Sequence, residues 1–311
     1  MELRMKATRR TTLQNIASTA AAAALLPLAD ARAQERSPAT KPIPSTGEAI
    51  SRVGLGTWIT FNVGKDEVLR DDCAAVMAAF FDAGGRVIDS SPMYGSSQSV
   101  IGYGLERLGR PLGLFAADKV WTSSGDDGPA QIEQSRGFWG VAGFDLLQVH
   151  NLVAWREHLE TLFEMKAGGK VRYVGITTSE GRRHDLFEDI MRTQPLDFIQ
   201  VTYNIVDREV EDRILPLAAD RGMGVIVNRP FQQGALTRRL EGEPMPGWAA
   251  EIGASTWAQF ILKFTLSHPA VTVAIPATTR VDHVRENVAS AAGPLPDAAM
   301  RRRMVAHVQD L

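Results

Sequence analysis

Cysteine is nearly absent from this sequence: Cys73 is the only one in 311 residues. A lone thiol excludes an intrachain disulfide framework and any cysteine-clustered zinc or iron–sulfur site. Charge of one sign is missing too. The 34 Lys and Arg almost cancel the 36 Asp and Glu, leaving a formal charge of −2, so nothing electrostatic argues for nucleic acid. After residue 48 there is no tandem repeat, low-complexity tract or interdomain linker. What is present, 44% hydrophobic and 23% charged residues, is a soluble globular composition. The length suits two ordinary domains or one large single-core fold.

The first segment reads as an address. Arg4, Lys6, Arg9 and Arg10 make a basic start, an apolar run extends from Ile16 to Ala29, and Ala31-Arg32-Ala33 offers small residues where a signal peptidase reads. That is the layout of a cleavable export signal at residues 1–33. The pair Arg9-Arg10 before Thr11-Thr12-Leu13-Gln14 points to the twin-arginine export machinery and hence to the periplasm. The alternatives are an ordinary N-terminal helix or a membrane anchor, but the apolar run is shorter than the ~20 residues that span a bilayer. Residues 34–48, with Pro38, Pro42 and Pro44, read as a tether into one domain at 49–311.

Within that domain, short apolar strands alternate with amphipathic helices. Strands are expected at Val53–Thr57, Arg86–Asp89, Leu114–Lys119, Phe144–His150, Tyr173–Thr177, Asp197–Val201, Gly224–Asn228 and Val271–Ile275. Their runs of Val, Ile, Leu and Phe suit strands covered on both faces. Helices are expected at Leu69–Ala83, Glu209–Arg221, Trp257–Ser267 and Asp297–Val308. In the first, Cys73, Val76, Met77, Phe80 and Phe81 recur at helical spacing before Gly84-Gly85 ends it. Eight strand–helix units over about 230 residues fit an α/β fold of the (β/α)₈ TIM-barrel class, usually about 250 residues long. A doubly wound sheet would announce a G-x-G-x-x-G turn after its first strand, and Gly54-Leu55-Gly56-Thr57 is not one.

Chemistry in such a barrel gathers at the C-terminal ends of the strands. Those ends hold Gly56-Thr57-Trp58, Asp89 with Tyr94 in the next loop, Lys119, His150-Asn151, Thr177-Thr178, Gln200 and Asn228. Asp, Tyr, Lys and His together suit proton transfer. A tyrosine keeps its proton to about pH 10; an adjacent Lys⁺ lowers that pKa, and an Asp holds the Lys charged. A histidine at the same mouth can donate to a carbonyl oxygen. Such a set can protonate an alkoxide that forms as hydride reaches a carbonyl carbon. Taken singly, each residue is ordinary: a rim ion pair, a structural Lys or His, a loop aromatic. His158, His184, His268 and His307 lie on helices or their ends and read as surface or packing residues.

At this point a resemblance becomes specific. Val87-Ile88-Asp89-Ser90-Ser91-Pro92-Met93-Tyr94-Gly95 resembles the active-site signature of the aldo-keto reductases. Gly54-Leu55-Gly56-Thr57-Trp58 is similar to their first-strand motif, Asp118-Lys119-Val120 to their Lys segment, and Leu147-Gln148-Val149-His150 to their His segment. Tyr173-Val174-Gly175-Ile176 and the stretch from Ile275-Pro276 through Arg285-Glu286-Asn287 follow in order, so the likeness runs from about residue 45 to the end.

The resemblance implies a barrel that binds an extended NADP(H), with NAD(H) as the alternative, and reduces small-molecule aldehydes or ketones without a metal. It makes Tyr94 the general acid, tuned by Lys119 and Asp89, with His150 orienting the carbonyl. Gly56, Thr57 and Trp58 would line the nicotinamide end, and Gln200 would contact the carboxamide. Thr177-Thr178 stand where the family usually has Ser-Asn. Asn228-Arg229-Pro230-Phe231 replace a frequent Tyr-Ser-Pro-Leu, so Asn228 stands where a ring would stack on nicotinamide; Phe231 would substitute only with a reshaped loop, and Asn228, Pro230 and Phe231 are the cofactor-side positions of this segment. Thr278, Thr279 and Arg280 resemble the loop holding the 2′-phosphate, and Glu286 and Asn287 the adenine contacts; Ala277 replaces a frequent Lys. Two other readings stay open: a barrel that holds NADP(H) for redox sensing or partner binding with little turnover, and a Lys119 Schiff-base aldolase. Trp58, Trp121, Phe138, Trp139 and Phe231 are candidates for an apolar substrate wall.

Overall fold

The structure, a computed structural model, describes residues 39–311. The expected export signal at 1–33, and residues 34–38 of the expected tether, lie outside the described residues.

Residues 39–51 are not a loose tether but a hairpin. Strands β1 (Thr40–Pro42) and β2 (Ala49–Ser51) pair antiparallel. Lys41 Nζ donates to the Val271 carbonyl at 2.6 Å, and Ser51 Oγ accepts from Arg86 N at 3.1 Å. Both partners precede barrel strands, so the hairpin covers the N-terminal end of the barrel. Prolines suggested an extended lead, whereas burial of Ile43 and Ile50 in the lumen decides the outcome.

Eight parallel strands then follow in sequence order: β3 (Leu55–Gly56), β4 (Val87–Asp89), β5 (Phe115–Val120), β6 (Phe144–Val149), β7 (Val171–Thr177), β8 (Phe198–Thr202), β9 (Gly224–Asn228) and β10 (Val273–Ala274). Bridges from Val53 to Ala274 and from Gly56 to Ala277 join β3 to β10 and close the barrel. A side chain at Gly56 would put its Cβ 2.5 Å from the Ile275 carbonyl oxygen, so the seam shuts only on glycine. The expected TIM barrel is therefore the observed one.

The outer layer comprises α1 (Glu67–Asp82), α2 (Ser97–Arg107), α3 (Gly128–Trp139), α4 (Trp155–Ala167), α5 (His184–Thr193), α6 (Ile214–Asp220), α7 (Ala235–Arg239), α8 (Trp257–Ser267), α9 (Val281–Ala289) and α10 (Ala298–Gln309). Side chains of Asp66, Thr256 and Asp297 cap α1, α8 and α10 by accepting a backbone N–H three residues on, which satisfies donors left open at a helix start. The single helix expected over Glu209–Arg221 is instead a 3₁₀ turn at Glu209–Glu211 followed by α6. Pro216 explains the break: lacking an N–H, it is tolerated only in a helix's first turn. Among the described residues, no helix is long and apolar enough to cross a membrane.

Alternation along the strands positions the site. Successive side chains point to opposite faces, so residues two apart share the lumen. Val87, Phe115, Leu146, Tyr173, Phe198 and Ile226 form an apolar cluster low in the barrel. Rings of Phe115 and Tyr173 stack there with centroids 5.9 Å apart, and Phe198 meets Tyr173 edge-on at 5.5 Å. Two or four residues further up the same faces come Asp89, Lys119, Gln148, His150, Thr177, Gln200 and Asn228.

Candidate active site

That polar upper layer surrounds a deep ion pair. Lys119 Nζ lies 2.5 Å from Asp89 Oδ1 and donates to the Ser90 carbonyl at 2.7 Å, with both side chains essentially inaccessible. The other carboxylate oxygen, Oδ2, accepts from Gln200 Nε2 at 2.9 Å and Gln148 Nε2 at 3.4 Å. Burial alone would discharge Lys119, but Asp89, 2.5 Å away, holds the ammonium above its ordinary pKa. The ammonium sits 5.2 Å from the centre of the Tyr94 ring, and the His150 ring meets Tyr94 edge-on at 5.7 Å. All four expected catalytic residues are thus brought together from β4 and its following loop, β5, and the end of β6.

One electrostatic expectation changes sign. Burial raises the Tyr94 pKa by more than Lys119 lowers it, and Asp89 adds to the rise, so the phenol stays firmly protonated. His150 is held well below its usual pKa, first by burial and then by Lys119, and is neutral. Its Nδ1 lies 2.7 Å from Ser91 Oγ.

A cavity of about 550 Å³ opens above this layer and runs from Asp89, Tyr94 and His150 to His283, Glu286 and Asn287 beside α9. Gly56, Thr57 and Trp58 form its wall on the β3 side, and Thr57 Oγ1 donates to the Asp89 carbonyl at 2.9 Å. Thr177, Thr178 and Gln200 line it from β7 and β8, with Thr178 Oγ1 turned away to donate to the Arg182 carbonyl at 2.6 Å. Asn228, Pro230 and Phe231 line it after β9. Both ends of the Asn228 amide are engaged: Oδ1 accepts from Thr202 Oγ1 at 2.6 Å and Nδ2 donates to the Thr178 carbonyl at 3.0 Å. Asn228 therefore ties three strand ends together instead of supplying a stacking face. Thr278 reaches the wall, but Thr279 and Arg280 do not; the Arg280 guanidinium is forked onto Asp282, with Nε to Oδ1 at 3.0 Å and Nη2 to Oδ2 at 2.5 Å. Of the apolar-wall candidates, Trp58 and Phe231 line the cavity and Trp121, Phe138 and Trp139 do not.

A closed barrel with this mouth narrows the choice, and sequence comparison decides it: a profile of the aldo/keto reductase family matches residues 52–304. The chain belongs to the aldo/keto reductase family. It is 27% identical over 238 residues to the NADH-specific methylglyoxal reductase of Escherichia coli (strain K12), covering 67% of this chain and 72% of that protein. It is 30% identical over 219 residues to aldo-keto reductase YhdN of Bacillus subtilis (strain 168), covering 65% of this chain and 64%, just under two thirds, of that one. In fold it is similar to an aldo/keto reductase from Klebsiella pneumoniae solved with NADP and acetate, at a TM-score of 0.74 and 23% identity over 87% of this chain and 95% of that one.

Several groups in this reductase's site carried no sequence-level assignment. Gln148 shares the lumen face with His150, two residues on, and that period was signal enough to find it. Arg229 lines the cavity, pairs with Glu180 at 2.5 Å and lies over the Trp58 ring at 5.6 Å. No local pattern announces that contact, because its three residues follow three different strands. The lining fits a nucleotide with polar and apolar parts: Thr57, Gln200, Asn228, Thr278, Glu286 and Asn287 share it with Ile275, Pro276, Phe231 and Trp257.

Proposed function

We propose that this aldo/keto reductase converts aldehyde or ketone carbonyls to alcohols with NADP(H) as cofactor and Tyr94 as the proton donor. The carrying observation is a protonated Tyr94 on the cavity wall, packed between the Lys119 ammonium and the His150 ring. Gly56, Thr57, Trp58 and Gln200 would hold the nicotinamide end, and Thr278, Glu286 and Asn287 the adenosine end. Held there, a reduced nicotinamide would supply the hydride that a carbonyl carbon accepts. His150 orients the carbonyl oxygen. As that oxygen gains negative charge, Tyr94 transfers its proton to it, and the phenolate left behind is stabilised by Lys119. Asp89 keeps Lys119 charged throughout, and burial excludes water from the pair, which strengthens their attraction.

The test is Tyr94→Phe in a paired measurement of NADPH binding by fluorescence and of turnover on an aldehyde and ketone panel. Turnover should fall by roughly 10²–10⁴-fold while NADPH affinity is kept. Undiminished turnover in the variant removes Tyr94 from the role. Nucleotide retention without turnover by the unaltered protein would favour the sensing barrel.

The export reading rests on the basic start, apolar run and Ala31-Arg32-Ala33 of residues 1–33. We propose that the twin-arginine machinery carries the folded chain to the periplasm. Cell fractionation of the full chain beside Arg9→Lys/Arg10→Lys tests it, and equal partitioning of the two overturns it.

A further inference from the structure

We infer that Ser91 is a positioning residue that sets the tautomer of His150, donating its Oγ–H to Nδ1 so that the ring carries its proton on Nε2. This rests on the carbonyl-reductase reading of the same site, and it names a group that neither the tetrad nor the cofactor contacts include. The argument is one of hydrogen-bond supply. A serine hydroxyl has one proton to donate and two lone pairs. Ser91 is fully buried, and its Oγ already accepts from Met93 N at 3.2 Å. Its remaining recorded neighbour is His150 Nδ1, at 2.7 Å.

Two arrangements satisfy that distance. If Nδ1 carried the proton, Ser91 Oγ would accept twice and its own O–H would be buried with no acceptor among the described residues. If Ser91 donates, every group is satisfied: Met93 N–H to Oγ, Oγ–H to Nδ1. Buried donors left unmade are strongly disfavoured, so the second arrangement stands. His150 Nε2 then bears the hydrogen. That nitrogen has no protein partner among the described residues and is not enclosed, unlike the buried, unpartnered His158 Nδ1 and His307 Nε2. It faces the cavity that His150 lines. A neutral imidazole can donate to a carbonyl oxygen only from its protonated nitrogen, so the serine decides whether His150 donates to substrate or competes with it for a proton.

Ser91 also links His150 to Tyr94. Its carbonyl accepts from Tyr94 N at 3.0 Å, closing the turn that carries the phenol. A purely loop-shaping role is therefore the rival explanation, and the test separates them. In the full chain labelled with ¹⁵N-histidine at neutral pH, His150 should show a pyridine-like Nδ1 and a pyrrole-like Nε2, assigned by loss of the signals in His150→Gln. In Ser91→Ala the protonated-Nε2 signature should weaken and kcat should fall about 10- to 100-fold with NADPH affinity unchanged. Ser91→Thr, which keeps the hydroxyl, should restore both. A protonated Nδ1 in the unaltered protein overturns the inference. So does a Ser91→Ala variant that loses kcat with its tautomer unchanged. Should the unaltered protein reduce no carbonyl at all, the proposed function fails, yet the nitrogen shifts still decide what Ser91 does.

Discussion

Asp89 divides its carboxylate between two tasks, with Oδ1 on Lys119 and Oδ2 on the amides of Gln200 and Gln148. Replacing it by Leu leaves an ammonium buried without a counter-charge, which costs about 3–5 kcal/mol. Thermal unfolding of Asp89→Leu should start on the order of 10 °C lower. Asp89→Leu/Lys119→Met should recover more than half of that loss, because no charge is then stranded. Arg280 stands outside the cavity wall, forked onto Asp282, and to hold a 2′-phosphate it would have to exchange that carboxylate. Arg280→Ala should therefore weaken NADPH binding several-fold and leave NADH binding nearly unchanged, as read by fluorescence titration.

Two histidines contribute to the pH dependence of stability. His150 is held neutral, and burial followed by Arg301 brings His268 down to about 4. The unfolded chain protonates both as pH falls through about 6.5, and the folded chain does so only at lower pH. Their contribution is full above about pH 6.5 and is lost as pH falls toward the folded values. Asp118, whose pKa burial raises to about 7, pulls the other way over the same range, so the share of His268 is read by difference. From about pH 7 to pH 5 the urea midpoint of His268→Gln should drop less, or rise more, than that of the unaltered protein. An equal change in that variant would assign the effect to other groups.

Two glycines on adjacent helices isolate what close packing demands. A Cβ on Gly102 of α2 would lie 1.9 Å from the Phe138 carbonyl of α3, whereas one on Gly137 of α3 would meet nothing within 4 Å. Gly102→Ala should force the helices apart and cost about 1–3 kcal/mol. Gly137→Ala should stabilise by about 0.5–1 kcal/mol through helix propensity alone. Chemical denaturation of the pair checks both signs. The loops show a different economy. Among the described residues, every non-glycine residue at positive φ except Arg110 lies in a loop at the mouth, including Ile59, Asn151, Glu180 and Arg229. Strain of this kind persists only where surroundings over-determine it. Elements with clear periodicity were legible from sequence: β9 and α8 have the expected bounds. The break ahead of α6 carried a local signal in Pro216, which the helical period over Glu209–Arg221 masked; the hairpin at residues 40–51 carried none, because its burial depends on barrel strands distant in the chain.

Across the whole molecule the lumen changes character from floor to mouth, with aromatic and aliphatic side chains below and ionisable ones above. That gradient follows from strand alternation, so Asp89, Lys119, His150 and Gln200 could be read from strand ends alone. Partnerships could not: that Asn228 is tied to Thr202 and Thr178, or Arg280 to Asp282, depends on side-chain directions no linear pattern carries. The floor is sealed by the hairpin, where Ile43 is fully buried. Starting the chain at residue 49 removes Ile43 and the Lys41 contacts, and should cost at least the roughly 2–5 kcal/mol of a large-to-small core change, read as a lower unfolding midpoint than a chain starting at residue 39.

The same hairpin fixes where a handle can be attached. Residue 39 enters at the floor, at the pole opposite the cavity. A protein grafted to a bead or an electrode through a peptide joined ahead of residue 39 would stand with its opening toward the liquid, free to exchange nucleotide and substrate. Attachment through the segment after β9 would press that opening against the support.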